Sequence, residues 1–296
     1  MKKVMMGFLF ISLSFMLFGC KTSDFITNIQ TENLNIAYGE DERQVMDIYY
    51  PTTLAKDETR PMILYIHGGG WLAGDKSDFA YMKDGTLDAN YVYASMNYHY
   101  AGNGNDYLTL LNDIKLAVSF VKNHEQAYHI NPEKMAVVGS SAGAHLALLY
   151  AYKVKDSEIP VAFVISNVGP TDFTDQHVIS EQINPEVIGL IGNLMNKTYD
   201  YDTYLTHQND LDLLDASPLY HVDANVPPSI LAYGKLDNLV PYQNGEALDQ
   251  KLTELNVDHQ FILFQNSGHG LESELDEIER QLYFETFISY LSNYLP

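Results

Sequence analysis

Short β-rich runs alternate with longer helical patterns from Asn33 to the end of the chain. This alternation is typical of βαβ units and therefore of a mostly parallel sheet. Met62–Ile66 is an unbroken apolar run, as expected for a strand that is buried on both faces. Val45–Tyr50 alternates in part and ends at Pro51, which predicts an edge strand. The other predicted strands are Tyr91–Tyr98, Lys134–Val138, Val161–Ile165, Ser229–Tyr233 and Phe261–Phe264.

Three segments carry apolar residues at helical spacing: Tyr107–Val121, Ala144–Tyr152 and Ile278–Leu295. Helices that connect parallel strands cover the faces of the sheet, so the pattern predicts an α/β fold. The last of the three segments is expected to be amphipathic. Its predicted inward residues are Leu282, Phe284, Phe287, Ile288 and Leu291.

Residues 172–215 separate two predicted strands and are rich in Tyr, Asn and Asp. Long insertions of this kind are often lids or binding loops. A plain pair of connecting helices is the alternative, and the weak helical patterning favours neither. With 296 residues, 46% of them hydrophobic, the chain has enough apolar material for one sizeable core, and we expect a single domain over residues 33–296.

The N-terminus differs from the rest of the chain. Lys2 and Lys3 precede an almost uninterrupted apolar run from Val4 to Phe18. This order is typical of a signal peptide, which we place at residues 1–19. A permanent transmembrane anchor is the alternative, although a spanning helix needs roughly 20 apolar residues.

Cys20 is the only cysteine, so an intrachain disulfide is excluded. Leu17-Phe18-Gly19-Cys20 resembles the lipobox of bacterial lipoproteins, in which the chain is cut before the cysteine and the thiol carries a diacylglycerol. The resemblance implies an exported, membrane-anchored protein whose domain follows a tether at residues 20–32. An unmodified cysteine in an ordinary signal peptide or anchor is the alternative.

Acidic residues outnumber basic residues by 39 to 17, which gives a net charge of −22. A surface this negative repels phosphate backbones and anionic lipids, so we expect no nucleic-acid partner and no membrane contact except through a lipid anchor at Cys20. The sequence has no His-Glu-x-x-His motif, Cys/His cluster or calcium-type Asp loop. No metal or other cofactor is therefore expected.

A candidate nucleophile lies in the motif Gly139-Ser140-Ser141-Ala142-Gly143, between a predicted strand and a predicted helix. Strand, tight turn and helix form the context that a G-x-S-x-G nucleophile motif requires. The N-terminus of the helix also favours developing negative charge. Ser140 is the competing serine, but it occupies an x position, and we predict that Ser141 is the nucleophile.

The motif HGGGW at His67–Trp71 follows the buried strand. Ester hydrolysis passes through a tetrahedral oxyanion, which needs rigid backbone N–H donors. We predict that Gly69, Gly70 and Ala142 supply these donors, with a flexible turn as the alternative. His67 precedes the nucleophile and is expected to hold the turn rather than to act as the base. Trp71 either lines a substrate pocket or packs in the core.

Asp237 and His269 each follow a predicted strand. The chain order Ser, Asp, His is the one that α/β-hydrolases use. We therefore predict that His269 takes the proton of Ser141 and that Asp237 fixes the histidine tautomer. A solvated turn residue is the alternative for Asp237.

Together these motifs resemble the hormone-sensitive-lipase-like and acetylesterase branch of the α/β-hydrolase superfamily. The resemblance implies an eight-stranded, mostly parallel sheet with helices on both faces and a short lid. It covers nearly everything from Asn33 to Leu295. It is carried by HGGGW at His67–Trp71, GSSAGAHLA at Gly139–Ala147, GKLDNLVP at Gly234–Pro241 and GHG at Gly268–Gly270.

The leading functional hypothesis is a serine hydrolase of small or medium acyl esters, including acetyl or feruloyl esters of carbohydrates. A formamidase or other amidase would use the same three residues, because acyl transfer to water differs mainly in the leaving group. A third hypothesis is a catalytically silent surface protein that keeps the fold for binding.

Overall fold

The computed structural model describes residues 29–79, 90–174, 185–199, 204, 206 and 210–296. The predicted signal peptide, Cys20 and residues 20–28 of the predicted tether lie outside the described residues. Within the described ranges, no helix has the length and the apolar character needed to cross a membrane.

Eight strands of the described residues form one sheet. The strands are β1 (Ile29–Ala37), β2 (Val45–Pro51), β3 (Arg60–Ile66), β4 (Val92–Met96), β5 (Ile130–Ser140), β6 (Val161–Asn167), β7 (Ser229–Gly234) and β8 (His259–Phe264). Their order is β1-β2-β4-β3-β5-β6-β7-β8. β2 pairs antiparallel with β1 and β4, and every other neighbouring pair is parallel. The predicted eight-stranded, mostly parallel sheet is confirmed.

Helices cover both faces of this sheet, as predicted. The larger core contains residues from the helices at Tyr107–Asn123 and Ala142–Lys153. The smaller core, on the opposite face, contains residues from the helix at Glu277–Tyr294. Short 3-10 helices lie at Lys76–Phe79, Pro218–His221 and Glu274–Asp276. The described α-helices are α1 (Tyr107–Asn123), α2 (Ala142–Lys153), α3 (Pro185–Leu194), α4 (Leu211–Ala216), α5 (Gln243–Glu254) and α6 (Glu277–Tyr294).

β3 is apolar at successive positions because it is buried on both faces. Met62 and Leu64 belong to the core on one face, and Ile63 and Tyr65 belong to the core on the other. Successive side chains of a strand point to opposite faces, so a strand covered on both faces needs apolar residues throughout. Because β3 is a central strand, the loop that follows Ile66 begins at the middle of one edge of the sheet.

Three details of the prediction were wrong. The predicted tether is four residues too long, because β1 begins at Ile29 and pairs with β2. β2 is not an edge strand, since β1 covers its outer side. Leu282 was expected to face inward, yet it is 42% exposed, and the buried residues of α6 are Tyr290 and Leu291.

A buried ion pair joins the 3-10 helix after β3 to the sheet. Lys76 Nζ lies 3.0 Å from Asp47 Oδ1, and both side chains are less than one tenth exposed. The N–H of Lys76 also donates to Asn97 Oδ1 at 2.6 Å, and the hydroxyl of Ser95 donates to the carbonyl of Lys76 at 2.7 Å. These contacts fix the chain that leaves the HGGGW loop.

We expect Lys76→Met to lower the free energy of unfolding by about 3–5 kcal/mol, because it leaves the buried Asp47 carboxylate without its cation. Replacing Asp47 by Leu in the same variant should restore part of the loss. Urea unfolding measures both effects.

The matched control is Lys155→Met, which breaks an exposed ion pair with Asp223. The Lys155 and Asp223 side chains are 54% and 50% exposed. This change should cost less than about 1 kcal/mol. Equal losses for the buried and the exposed pair would contradict the role of Lys76.

Candidate active site

Ser141 occupies a sharp turn between β5 and α2, with φ 54° and ψ −120°. A residue other than glycine in this region costs about 1–3 kcal/mol, so the surroundings must hold it there. The Ser141 N–H donates to the carbonyl of Asn167 at 2.7 Å, and the Ser141 carbonyl accepts from the N–H of His145 at 3.0 Å. The turn is thus fixed from both sides.

The two motif glycines are required by close backbone approach. A Cβ atom at Gly139 would lie 2.2 Å from the carbonyl oxygen of Gly143. A Cβ atom at Gly143 would lie 2.1 Å from the carbonyl oxygen of Ile66 at the end of β3. Any side chain at either position would therefore push α2 away from the sheet.

His269 joins Ser141 to Asp237. Its Nε2 lies 2.9 Å from Ser141 Oγ, and its Nδ1 lies 2.7 Å from Asp237 Oδ2. Because the carboxylate can only accept, Nδ1 carries a proton and Nε2 is free to accept the serine hydroxyl hydrogen. The three residues predicted from the sequence are brought together in the geometry that nucleophilic activation requires.

Asp237 is not a solvated turn residue. Its side chain is fully buried. Oδ1 accepts the N–H groups of Leu239 at 2.8 Å and Val240 at 3.0 Å, which leaves Oδ2 for His269. These three hydrogen bonds fix the orientation of the Asp237 carboxylate.

A second buried carboxylate, Asp276, holds the loop after β8 that carries His269, here called the histidine loop. Asp276 accepts from the hydroxyl of Ser267 at 2.6 Å and from the backbone N–H of Asn266 at 2.9 Å. The histidine loop touches the loop after β7 that carries Asp237, here called the acid loop, because a Cβ atom at Gly234 would lie 2.2 Å from the carbonyl oxygen of Gly268. An aspartate at the start of a helix looks like an ordinary cap in the sequence, so no signal marked it.

The HGGGW loop lies against the serine turn. A Cβ atom at Gly68 would lie 3.3 Å from Ser141 Cβ. Within the described residues, neither the N–H of Gly69 nor that of Gly70 donates a hydrogen bond. Ala142 is the first residue of α2, where an N–H has no partner inside the helix. The predicted donors are therefore available next to Ser141.

His67 supports this loop and has no contact with Ser141 or Asp237. Its Nδ1 donates to the carbonyl of Gly68 at 2.7 Å, and its Nε2 accepts from Arg43 Nη2 at 3.3 Å. Burial lowers the pKa of His67 to about 4, so the ring is neutral. The expectation that it holds the turn agrees with these contacts. No sequence pattern identified Arg43, from the β1–β2 connection, as its partner.

Trp71 is buried, with 5% of its surface exposed. Its indole Nε1–H donates to His145 Nδ1 at 3.2 Å, and its ring packs edge-on against Phe173 at 5.9 Å. The ring therefore packs between the loop and α2. His145 appears in the motif GSSAGAHLA, but the sequence offered no reason to assign it a partner.

The described part of residues 172–215 lies beside the HGGGW loop. A Cβ atom at Gly70 would lie 3.0 Å from Leu190 Cδ2 on α3. Asn196, just after α3, accepts the N–H of Gly104 through Oδ1 at 3.2 Å. α3 thus approaches the predicted oxyanion donors, and its action as a lid stays a prediction.

Among the described residues, no group of three or more His, Cys, Asp or Glu side chains is arranged to hold a metal ion. The contacts of His269 with Ser141 and Asp237 suit nucleophilic attack by Ser141, with His269 as proton acceptor.

We expect acid to destabilise the fold through its buried histidines. Burial lowers the pKa of both His67 and His145 to about 4 from 6.5. The unfolded chain therefore binds protons as the pH falls below 6.5, while the folded protein does not until near pH 4. The resulting loss of unfolding free energy is about 2 kcal/mol for each histidine between pH 7 and pH 5.

Urea unfolding at the two pH values measures the loss in the wild type and in two variants. His145→Asn should show a weaker pH dependence, whereas His124→Asn, which changes an exposed ring, should match the wild type. An unchanged pH dependence in His145→Asn would contradict the assignment.

The chain is similar to a family of known proteins and to several individual enzymes. The BD-FAE family model matches residues 46–252, more than two thirds of the chain. "Probable carboxylic ester hydrolase LipM" of Mycobacterium tuberculosis (strain ATCC 25618 / H37Rv) is 27% identical over 75% of this chain and 52% of its own length. "Kynurenine formamidase" of Salmo salar is 30% identical over 46% of this chain and 45% of its own length.

The chain spans about half the length of the curated relatives that it matches. Among solved structures, a "Truncated form of carbohydrate esterase from gut microbiota" superposes with a TM-score of 0.66 at 20% identity, covering 88% of this chain and 97% of that chain. The family match includes the strands and loops that carry Ser141 and Asp237. The chain therefore belongs to the BD-FAE family and has the α/β-hydrolase fold.

Proposed function

We propose that this protein hydrolyses carboxylic esters of small or medium acyl groups through a covalent intermediate on Ser141. The observation that carries the proposal is the position of His269, 2.9 Å from Ser141 Oγ and 2.7 Å from Asp237 Oδ2. The similarity to an esterase of Mycobacterium tuberculosis supports the same reaction class.

In the proposed first half-reaction, Ser141 Oγ attacks the carbonyl carbon while its proton passes to His269 Nε2. The tetrahedral oxyanion is stabilised by the N–H groups of Gly69, Gly70 and Ala142. The intermediate collapses, and the leaving alcohol takes the proton from His269. Ser141 then carries the acyl group.

Water completes the reaction along the same path. His269 removes a proton from water as the oxygen attacks the acyl carbon, and it returns that proton to Ser141 when the acid leaves. Asp237 keeps Nδ1 protonated and stabilises the imidazolium that forms in each half-reaction.

We expect Ser141→Ala to lower kcat on p-nitrophenyl acetate by about 10⁴-fold or more, because the nucleophile is lost. Ser140→Ala is the matched control and should keep most of the activity. Full activity in Ser141→Ala would overturn the proposal. A folded wild type that neither turns over esters nor reacts with a fluorophosphonate probe would favour the binding-protein hypothesis instead.

The substrates that we propose include acetyl or feruloyl esters of carbohydrates. One observation supports this class: a carbohydrate esterase shares the fold. The export that we propose below would also bring the enzyme to extracellular polymers. A panel of acetylated sugars, feruloyl esters and p-nitrophenyl esters of increasing acyl length tests it.

We expect Leu190 to limit the size of the substrate, because its side chain lies beside Gly70. Leu190→Ala should raise kcat/KM for p-nitrophenyl hexanoate relative to the acetate by about tenfold. Leu211→Ala, on the same insertion but 77% exposed, is the control and should leave the ratio unchanged. Equal ratios in all three proteins would show that Leu190 does not border the substrate.

A formamidase activity is the second candidate. It is favoured by the 30% identity with the Salmo salar kynurenine formamidase over nearly half of this chain. The same three residues would serve, since only the leaving group changes. Comparing kcat/KM for N-formylkynurenine and for an acetyl ester distinguishes the two candidates.

We also propose that the protein is exported and anchored through a lipid on Cys20. The proposal is supported by the apolar run that ends at Gly19-Cys20. Cys20→Ser should move the protein from the detergent phase to the aqueous phase in a detergent partition experiment.

A further inference from the structure

The loop that carries the predicted oxyanion donors ends in a strained tryptophan. Gly69, Gly70 and Trp71 have φ angles of 109°, 59° and 62°. Glycine adopts such angles at no steric cost, but a tryptophan does not. The direction of the Gly69 and Gly70 N–H groups therefore depends on whatever keeps Trp71 in this conformation.

Trp71 is held mainly through its indole ring. Nε1–H donates to His145 Nδ1 at 3.2 Å, and the two rings meet edge-on with centroids 5.3 Å apart. The carbonyl of Trp71 accepts from the N–H of Ala101 at 2.9 Å. A buried indole N–H without an acceptor would be costly, so His145 determines where the ring can sit.

His145 can accept this bond in one tautomer only. Its Nε2–H donates to the carbonyl of Ala216 at 2.7 Å, which leaves Nδ1 as the acceptor. The ring is fully buried, and its backbone N–H donates to Ser141. The imidazole of His145 thus links the HGGGW loop to the C-terminal end of α4, and the backbone N–H of His145 links both to the serine turn.

We propose that His145 is a positioning residue, which aligns the N–H groups of Gly69 and Gly70 on the developing oxyanion by holding the indole of Trp71. This inference rests on the proposed esterase function. It assigns a role to a histidine that takes no proton from the substrate, and it gives Trp71 a function other than lining a pocket.

The first test is Trp71→Phe, which keeps an aromatic ring and removes the N–H donor. We expect kcat on p-nitrophenyl acetate to fall by about 10- to 100-fold with KM nearly unchanged, because misplaced donors weaken the transition state more than the ground state. The inhibition constant of an alkyl boronic acid, which forms a tetrahedral adduct with Ser141, should rise by a similar factor.

Two substitutions of His145 separate its two hydrogen bonds. His145→Asn places a carbonyl oxygen near the position of Nδ1 and keeps the acceptor for Trp71. His145→Gln reaches the position of Nε2 instead and keeps the donor to Ala216. We expect kcat to stay near the wild-type value in the Asn variant and to fall as in Trp71→Phe in the Gln variant. Combining Trp71→Phe with His145→Gln should cost little more than either change alone.

Trp71 is the only tryptophan, so its fluorescence shows whether the indole stays buried in the His145 variants. Folded Trp71→Phe protein with wild-type kcat and boronate affinity would overturn the inference, as would equal losses in His145→Asn and His145→Gln. Wild-type turnover tests the proposed function separately. An active wild type beside an unaffected Trp71→Phe variant would therefore reject this inference alone.

Discussion

The site depends on buried polar side chains, each held in one orientation by its hydrogen bonds. Asp237 is turned toward His269 because two backbone N–H groups occupy its other oxygen. His67 and His145 each donate through one ring nitrogen to a carbonyl and accept through the other. A buried polar group without a hydrogen-bond partner costs free energy. Other orientations of these three side chains would break hydrogen bonds and are therefore disfavoured. Ser141 Oγ lies 2.9 Å from His269 Nε2 in this arrangement.

The loops of the site hold one another, and they come from distant parts of the chain. The HGGGW loop lies against the serine turn, and the acid loop touches the histidine loop. Arg43 reaches the HGGGW loop from the β1–β2 connection, and Asp276 supports the histidine loop from the start of α6. Because the parallel strands end at one edge of the sheet, these contacts converge there.

Features of the fold could be predicted from the sequence where the surroundings of a residue restrict its type within a short segment. Met62–Ile66 is apolar throughout because both faces of β3 are covered. The turn around Ser141 needs glycines, which the sequence motif shows directly. β1 was missed because its mixed residues become a strand only by pairing with β2. Leu282 was misplaced because apolar residues lie on several sides of α6, so spacing could not select a face. Arg43 acts on His67 across the fold, which no local pattern records.

Gly143 is a position at which contacts with the main chain alone determine the residue type. The atoms that a side chain would strike there are the carbonyl oxygens of Ile66 and His67, which belong to the main chain. Main-chain atoms are the same whatever residues surround them, so no substitution elsewhere can make room. In this structure, position 143 is therefore closed to every residue with a Cβ atom. Its identity is set by the peptide backbone alone.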